Sequence, residues 1–109
     1  MKYKICFTDQ AFFDINNIYS YIAFDLSSPE TAEKLYHKII AEIETLADFP
    51  FRCALLSEES FRRLGLRRLL IQHYSVIFIV QESSSQIIIL RILHQTQNTP
   101  SQLEDFLSL

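Results

Sequence analysis

The sequence has little of several residues that often specialise a small protein: one glycine, three prolines, two cysteines and no tryptophan in 109 residues. Cys6 and Cys53 belong to no Cys-x-x-Cys or Cys/His cluster, so no metal site is predicted, and nothing else indicates a cofactor. The N-terminus lacks the apolar segment of a secretory signal, and no apolar run approaches the roughly 20 residues of a membrane span. We therefore expect a cytoplasmic protein with reduced thiols and no membrane contact.

Charge is distributed unevenly along the chain. The formal net charge is -3, but all the lysines lie within residues 1–50 and all the arginines within residues 51–94. An acidic chain is a poor candidate for general nucleic-acid binding, because neutralisation of phosphates dominates that affinity. We expect no direct sequence-specific binding of nucleic acid by this chain alone. A local cationic face and a set of solvated arginines both remain open.

The first half of the chain is predicted to hold one strand and two helices. Residues 3–7 alternate between apolar and polar side chains, which predicts a half-buried strand. Thr8 can cap a helix expected at about residues 9–24. Ser28 can cap a second helix, at about residues 29–47, which starts with a proline and carries an unbroken apolar stripe. The two helices should form an αα-hairpin.

The second half is predicted to hold three strands. Residues 49–60 are irregular and are expected to form a surface loop. The strands are predicted at about residues 62–72, 74–82 and 86–93, and their short connections make neighbouring strands antiparallel. The 109 residues thus form a single α+β domain, β-α-α-β-β-β, with the N-terminal strand and αα-hairpin packed on a mostly antiparallel four-stranded sheet. Residues 96–109 are a C-terminal tail whose apolar residues are Leu103, Phe106, Leu107 and Leu109.

The predicted sheet is apolar on both faces. In its third strand, Val76, Phe78 and Val80 alternate with Ile77 and Ile79. An antiparallel sheet with one wet face should alternate apolar and polar residues, and two helices cover only about one face. A lone protein rarely exposes a second apolar face. We therefore expect the tail, another copy of the chain or a different protein to cover it.

Residues along nearly the whole chain fall in a recognisable order. Helix one carries an aspartate and a Tyr-Ile pair, and helix two has an alanine near its start. Four short motifs follow along the chain: Leu-x-x-x-Pro, Leu-Arg, Tyr-x-x-x-Phe-x-Val and Arg-Ile-Leu-His. The residues are Asp14, Tyr21, Ile22, Ala32, Leu46, Pro50, Leu66, Arg67, Tyr74, Phe78, Val80, Arg91, Ile92, Leu93 and His94. The ordered set resembles the ParE/RelE superfamily of toxins from bacterial type II toxin–antitoxin systems, which implies a RelE/ParE-like fold.

The final strand resembles the ParE branch more than the RelE branch. RelE-type ribonucleases use a basic residue after the tyrosine of the third strand, an arginine after the last strand and often a C-terminal tyrosine. Those places hold Ser75 and, approximately, Thr96, and no tyrosine follows Tyr74. The resemblance therefore implies a toxin with no catalytic residue, which binds and inhibits DNA gyrase and is neutralised by a co-encoded ParD-like antitoxin.

Two alternatives to a gyrase-binding toxin stay open. The first is an enzyme, a ribosome-dependent mRNA interferase of the RelE type. It would need replacement cations, such as Arg62, Arg63, Arg67 and Arg91, because serine cannot stabilise charge as a guanidinium does. The second is a relative that has lost its toxicity and only binds its antitoxin.

Six residues are candidate contacts with the target or the antitoxin: Arg67, Arg68, Arg91, His94, Gln95 and Asn98. Arg67 and Arg68 should project to opposite faces of their strand, so at most one shares a surface with Arg91. A salt bridge from Arg67 to a helix carboxylate such as Asp14 is as good an interpretation as a target contact. Arg91 lies among apolar residues, so it should reach the sheet edge or pair with a carboxylate of this chain or a partner.

His94 has two interpretations. Imidazole is a common general acid or base, and His73 could approach it from another strand. However, the first acid after it is Glu104, so no nearby carboxylate orients the ring. The alternative is a histidine at a strand end that hydrogen-bonds the backbone.

Overall fold

The predicted order of a strand, two helices and three strands is confirmed, and two short helices are added to it. The structure is a computed structural model that describes residues 2–104. Its elements are β1 Lys4–Phe7, α1 Asp9–Ser20, α2 Pro29–Thr45, α3 Glu59–Arg63, β2 Arg67–Ile71, β3 Tyr74–Gln81, β4 Gln86–His94 and α4 Thr99–Gln102.

The four strands form one sheet in the order β1-β4-β3-β2. β4 pairs with β3 and β3 with β2 in antiparallel fashion, whereas β1 lies parallel to β4 because the helical hairpin carries the chain back before the sheet continues. β1 and β2 are therefore the edge strands. The prediction of a mostly antiparallel sheet is confirmed.

The N-terminus of α1 is tied to the sheet through its cap. The Thr8 hydroxyl accepts the N–H of Ala11 at 3.1 Å, as the cap prediction requires. The same hydroxyl lies 3.1 and 3.0 Å from the carbonyl oxygens of Ile89 and Leu90 in β4. One side chain thus begins the helix and fixes where it leaves the sheet.

The first core lies between the helical hairpin and one face of the sheet. After Ser20, the first helix widens into a π-helical turn, Tyr21–Asp25, and α2 begins at Pro29 as predicted. Both helices turn their apolar stripes to the sheet, so that face is closed to water. Its most buried members include Ala11, Ile39, Ile43, Leu46, Val76, Phe78, Ile87 and Ile89.

The predicted start of the second strand at residue 62 is wrong, because a helix ends there. α3 has Glu59 in its first turn and arginines in its last, which suits the helix dipole. Gly65 then takes φ +80, and the N–H groups of Gly65 and Leu66 bond the carbonyls of Arg62 and Phe61. This is a Schellman motif, and Leu66 also packs with Phe61 in one cluster.

The chain itself covers part of the second face of the sheet, although Leu70 on that face stays 68% exposed. Ile77, Leu90 and Leu93 form a second buried cluster on that face. Three of the four residues packed over them come from the segment 56–66, which we had not expected to contribute. The covering residues are Leu56, Phe61, Leu66 and Leu103. The surface loop predicted at residues 49–60 is correspondingly wrong in part.

The C-terminal tail contributes a single anchor within the part of the chain that the structure describes. Asn98 caps α4 by accepting the N–H of Ser101 at 3.2 Å, and Leu103 after the helix is fully buried. Phe106, Leu107 and Leu109, the other apolar residues of the tail, lie outside the described residues. No helix within residues 2–104 has the length and apolar character to cross a membrane.

Candidate functional site

A β-bulge in β4 shapes the surroundings of Arg91. Ile77 of β3 pairs with Arg91, but its neighbour Phe78 pairs with Ile89, so Leu90 is an extra residue. β1 ends at Phe7, opposite Ile89. Beyond this point no strand of the described residues lies on the outer side of β4, so its backbone groups there need other partners.

Asp14 of α1 supplies those partners. Its carboxylate accepts the N–H of Ile92 at 2.9 Å and two guanidinium N–H groups of Arg91, at 2.7 Å from Nε and 3.0 Å from Nη2. Both side chains are nearly buried, 9% exposed for Asp14 and 12% for Arg91. Arg91 also donates from Nη1 to the Gln102 carbonyl at 3.2 Å. Of the two interpretations of Arg91, pairing with a carboxylate of this chain is therefore the one found.

Arg67 has a different partner from the one expected. Its guanidinium donates to the Cys53 carbonyl at 2.6 Å and lies 4.9 Å from the centroid of the Phe51 ring. Of the two interpretations of Arg67, the salt bridge to Asp14 is wrong, because Arg91 occupies that carboxylate and β3 separates β2 from β4. Burial raises the pKa of the Cys53 thiol, against the nearby positive charges of Arg52 and Arg67, so this thiol is not activated.

Arg68 lies on the opposite face, as predicted. It pairs with Ile77, whereas Arg67 pairs with Phe78 of the first core. Ile77 also pairs with Arg91, so Arg68 and Arg91 flank it in one cross-strand row. The Nε atom of Arg68 is buried and has no hydrogen-bond partner within residues 2–104. Among the three candidate arginines, Arg68 is thus the one to which residues 2–104 give no side-chain hydrogen bond.

His94 closes β4 with contacts to its own turn. Nδ1 of His94 accepts the N–H of Thr96 at 3.2 Å and lies 2.8 Å from the Thr96 hydroxyl. The ring lies edge-on to Tyr74, with centroids 5.1 Å apart, and 6.3 Å from the ring of His73, so the two histidines do approach each other. No carboxylate within the described range contacts it. These contacts agree with a histidine that ends a strand.

Gln95 and Asn98 hold the turn after β4. The backbone N–H of Gln95 bonds the His73 carbonyl at 2.8 Å, which ties this turn to the one between β2 and β3. The side chain of Gln95 is exposed, whereas that of Asn98 is used as the cap of α4. The side chain of Gln95 can therefore contact a partner, whereas the amide oxygen of Asn98 is already bound within the chain.

A cleft lies between the end of α1 and the strand ends near His94. It has a volume of about 400 Å³ and is lined by Asn17, Ile18, Tyr21, Tyr74, His94 and Thr96. Burial, and to a lesser degree Tyr21, raises the pKa of Tyr74, so its phenol stays protonated and can donate a hydrogen bond. No lysine or arginine lines this cleft. Its chemistry is that of aromatic faces and neutral polar groups.

Exposed aromatic residues continue this surface along α1. Phe13, Asn17 and Tyr21 follow each other at four-residue spacing and so share one side of the helix. Phe13 is 60% exposed, Tyr21 55% and Phe24 73%. The four-residue spacing of these residues is visible in the sequence, but no contact was predicted for this side of the helix. Within residues 2–104, no group of three His, Cys, Asp or Glu side chains is positioned to hold a metal ion.

The family comparison and the structure comparison give matches that agree with each other. The model of the ParE toxin of the type II toxin–antitoxin system parDE matches residues 5–99. A search of curated protein sequences gives no match. The fold is similar to the chromosomal ParDE toxin–antitoxin system from P. aeruginosa, with a TM-score of 0.70, 26% identity and coverage of 85% of this chain and 96% of that chain.

Two further structures share the fold at lower identity. The RelBE2 toxin–antitoxin complex from Mycobacterium tuberculosis has a TM-score of 0.61 at 18% identity, covering 86% of this chain and 99% of that chain. The intact RelBE toxin–antitoxin complex of E. coli has a TM-score of 0.53 at 10% identity, covering 88% and 99%. At these identities the likeness concerns the fold alone.

Proposed function

Since this chain belongs to the ParE toxin family of type II toxin–antitoxin systems, we propose that it inhibits DNA gyrase by binding and that a co-encoded ParD-like antitoxin neutralises it. In this proposal the toxin acts in the cytoplasm, stabilises the complex of gyrase with cleaved DNA and so blocks replication. It has no catalytic residue, and it recognises gyrase rather than a DNA sequence.

The hydrogen-bond partners of the arginines favour a toxin that binds its target over a ribonuclease. A guanidinium that stabilises a phosphorane must be free to meet the developing charge. Arg91 is instead bound to Asp14 and to the Gln102 carbonyl, and Arg67 is bound to the Cys53 carbonyl. Two of the four cations that an mRNA interferase would need here are thus already used in folding, which favours a toxin that acts by contact.

The surface proposed for gyrase is the cleft beside α1. Tyr21 and Tyr74 line it with His94, and the exposed Phe13 and Phe24 lie on the same helical segment. Aromatic residues in such positions are typical anchors of protein–protein interfaces, whereas a cleft without lysine or arginine suits nucleic acid poorly. Gln95, with its exposed side chain beside His94, is included in this surface.

An antitoxin partner is supported by the structural relatives. The ParDE system from P. aeruginosa, at 26% identity, and the two RelBE complexes each contain a toxin with its antitoxin. We propose the same kind of hetero-oligomer here, in which Asn98, Arg67 and Arg91 act through the fold and Arg68 acts by direct contact.

A gyrase cleavage assay with the purified chain tests the target. We expect linear DNA to accumulate with gyrase and toxin, and Tyr21→Ala to weaken the effect about 30-fold, as for an aromatic residue worth about 2 kcal/mol. Phe49→Ala is the matched control, because Phe49 is 70% exposed and does not line the cleft. Linear DNA that stays at background at high toxin concentration contradicts the proposal.

The alternative, an mRNA interferase, draws on one observation. Tyr74 and His94 share a cleft, with ring centroids 5.1 Å apart, and both residue types transfer protons in enzymes. Primer extension on translated mRNA after induction separates the two functions, because position-specific cuts require the enzyme. Induction without arrest of growth would instead indicate a relative that has lost its toxicity.

A further inference from the structure

Tyr74 and His94 lie side by side at one end of the sheet. They pair directly as the first residue of β3 and the last residue of β4. Their rings meet edge-on with centroids 5.1 Å apart, as directly opposite side chains of antiparallel strands can. The N–H of Gln95 bonds the His73 carbonyl at 2.8 Å and joins the two turns beside this pair. Both rings line the cleft beside α1, so they are positioned there before any partner binds.

The turn after β4 fixes which ring nitrogen of His94 carries hydrogen. A backbone N–H can only donate, so Nδ1 of His94, which lies 3.2 Å from the Thr96 nitrogen, acts as the acceptor. An imidazole with an acceptor at Nδ1 carries its hydrogen at Nε2. Within residues 2–104, the hydrogen bonds of this ring are all made at Nδ1. The Nε2–H group is therefore a donor that the described chain leaves open to a partner.

The phenol of Tyr74 is a second donor of this kind. Burial, and to a lesser degree Tyr21, raises its pKa, so it stays protonated near neutral pH. Its hydroxyl makes no hydrogen bond within residues 2–104. Tyr19 differs, because its hydroxyl donates to a carboxylate oxygen of Glu33 at 3.0 Å. A partly buried donor such as that of Tyr74 costs free energy until an acceptor reaches it.

The other residues of the cleft leave its preference to these two donors. Asn17 and Thr96 can both donate and accept hydrogen bonds, and Ile18 is apolar. No aspartate, glutamate, lysine or arginine is among the described residues that line the cleft. A cation of a partner would find no counter-charge there, and a phosphate would find no cation. Tyr74 and His94 thus favour an uncharged or anionic oxygen acceptor, a carbonyl or a carboxylate.

We propose that the Tyr74 hydroxyl and the Nε2–H of His94 together donate hydrogen bonds to an oxygen acceptor of gyrase, and that these bonds decide which surface of gyrase the toxin recognises. This inference rests on the proposed function, since it gives the chemistry of the surface proposed for that target. Aromatic contact alone tolerates many partners. A site with two fixed donors rejects a surface without the acceptor, because the donors are then buried unpaired.

Tyr74→Phe in the gyrase cleavage assay tests the first donor. The change removes one oxygen and keeps the ring, so the toxin concentration for half-maximal linear DNA should rise about 5- to 50-fold, as when a buried acceptor is left unpaired. Tyr19→Phe is the matched control and should stay within about twofold of the wild type, because it removes a hydroxyl outside the cleft. In urea, Tyr74→Phe should be no less stable than the wild type, since the lost hydroxyl has no partner within residues 2–104.

Two substitutions of His94 test the second donor. The amide of glutamine can place an N–H near the position of Nε2. The shorter asparagine reaches only the position of Nδ1, where its oxygen can still accept the Thr96 N–H. His94→Asn should therefore weaken gyrase inhibition about 5- to 50-fold. His94→Gln should inhibit more strongly than His94→Asn.

Three results would overturn the inference while the proposed function stands. The first is a Tyr74→Phe toxin that inhibits gyrase as well as the wild type. The second is an equal loss in His94→Asn and His94→Gln, which would mean that the ring rather than its Nε2–H is recognised. The third is a Tyr74→Phe toxin that inhibits gyrase fully but binds the full-length co-encoded antitoxin more weakly, which would assign the donors to the antitoxin. A wild-type chain that yields no linear DNA removes the proposed function and this inference together.

Discussion

Replacing Asp14 by alanine removes the acceptor at the centre of the bulge in β4. In the native chain its carboxylate receives the Ile92 N–H and two N–H groups of Arg91. Alanine leaves a guanidinium that is only 12% exposed without its counter-charge, and a strand N–H without an acceptor. Within residues 2–104, Arg91 has no other carboxylate and keeps a single further acceptor, the Gln102 carbonyl.

The magnitude follows from the burial of the pair. Removing one partner of a buried ion pair costs about 3–5 kcal/mol, because the remaining charge stays desolvated. The free energy of unfolding of a domain of this size is about 5–15 kcal/mol, so Asp14→Ala should remove a large part of it. The double variant Asp14→Leu/Arg91→Met should recover much of the loss, because it removes the charge together with its partner and leaves two neutral groups, the Ile92 N–H and the Gln102 carbonyl, without these bonds.

Urea unfolding followed by circular dichroism measures this difference. With a slope of about 2 kcal/mol/M, a loss of 3 kcal/mol lowers the midpoint by about 1.5 M. Glu59→Ala is the control, since it breaks the Glu59–Arg63 pair whose side chains are each 76% exposed, and should leave the midpoint unchanged. A shift of less than about 0.5 M for Asp14→Ala, or a double variant no more stable than the single one, would refute the structural role assigned to the pair.

Three other perturbations have defined outcomes. Gly65→Ala should destabilise by about 1–2 kcal/mol in urea unfolding, from the φ of +80 alone, because no atom lies within 4 Å of the added Cβ. Leu103→Ala should cost about 2–5 kcal/mol and lower Tm, because this fully buried residue covers the second sheet face. Burial raises the pKa of Tyr74, so its contribution to stability is complete below the ordinary tyrosine pKa near 10 and is lost as pH rises through the higher folded value. Ultraviolet titration of Tyr74→Phe should accordingly lose one late-titrating phenol and keep that of Tyr19, whose pKa is raised by its hydrogen bond to Glu33.

The two long helices were predictable because their capping residues and apolar stripes agree with how the helices pack on the sheet. Thr8 caps α1 and Pro29 begins α2, and both helices turn a continuous apolar stripe to the sheet. α3 escaped prediction because five residues are too few for a helical period to emerge. Its signals were the acid in the first turn, the arginines in the last and the single glycine at position 65. Gly65 was noted in the sequence but not recognised as a helix C-terminus.

The bulge at Leu90 could not be found from the sequence, for a physical reason. A shift of one residue moves the following side chains to the other face, and it is visible only where one face is polar. β4 is apolar on both sides, so Ile92 and Leu93 fit either face equally well. Only Arg91 interrupted the pattern, and its pairing with Asp14 depends on how the first helix crosses the strand.

The second face of the sheet needs less cover from outside than its sequence indicates. Its apolar pattern was our reason to expect the tail, another copy of the chain or a different protein over it. Leu56, Phe61 and Leu66 instead cover Ile77, Leu90 and Leu93 from within the chain, whereas Leu70, two residues after Arg68 and so on the same face, stays 68% exposed. Apolar contacts of this kind bury side chains but give no hydrogen bond to a polar group among them. The Nε of Arg68 is such a group, because it is buried and has no hydrogen-bond partner within residues 2–104.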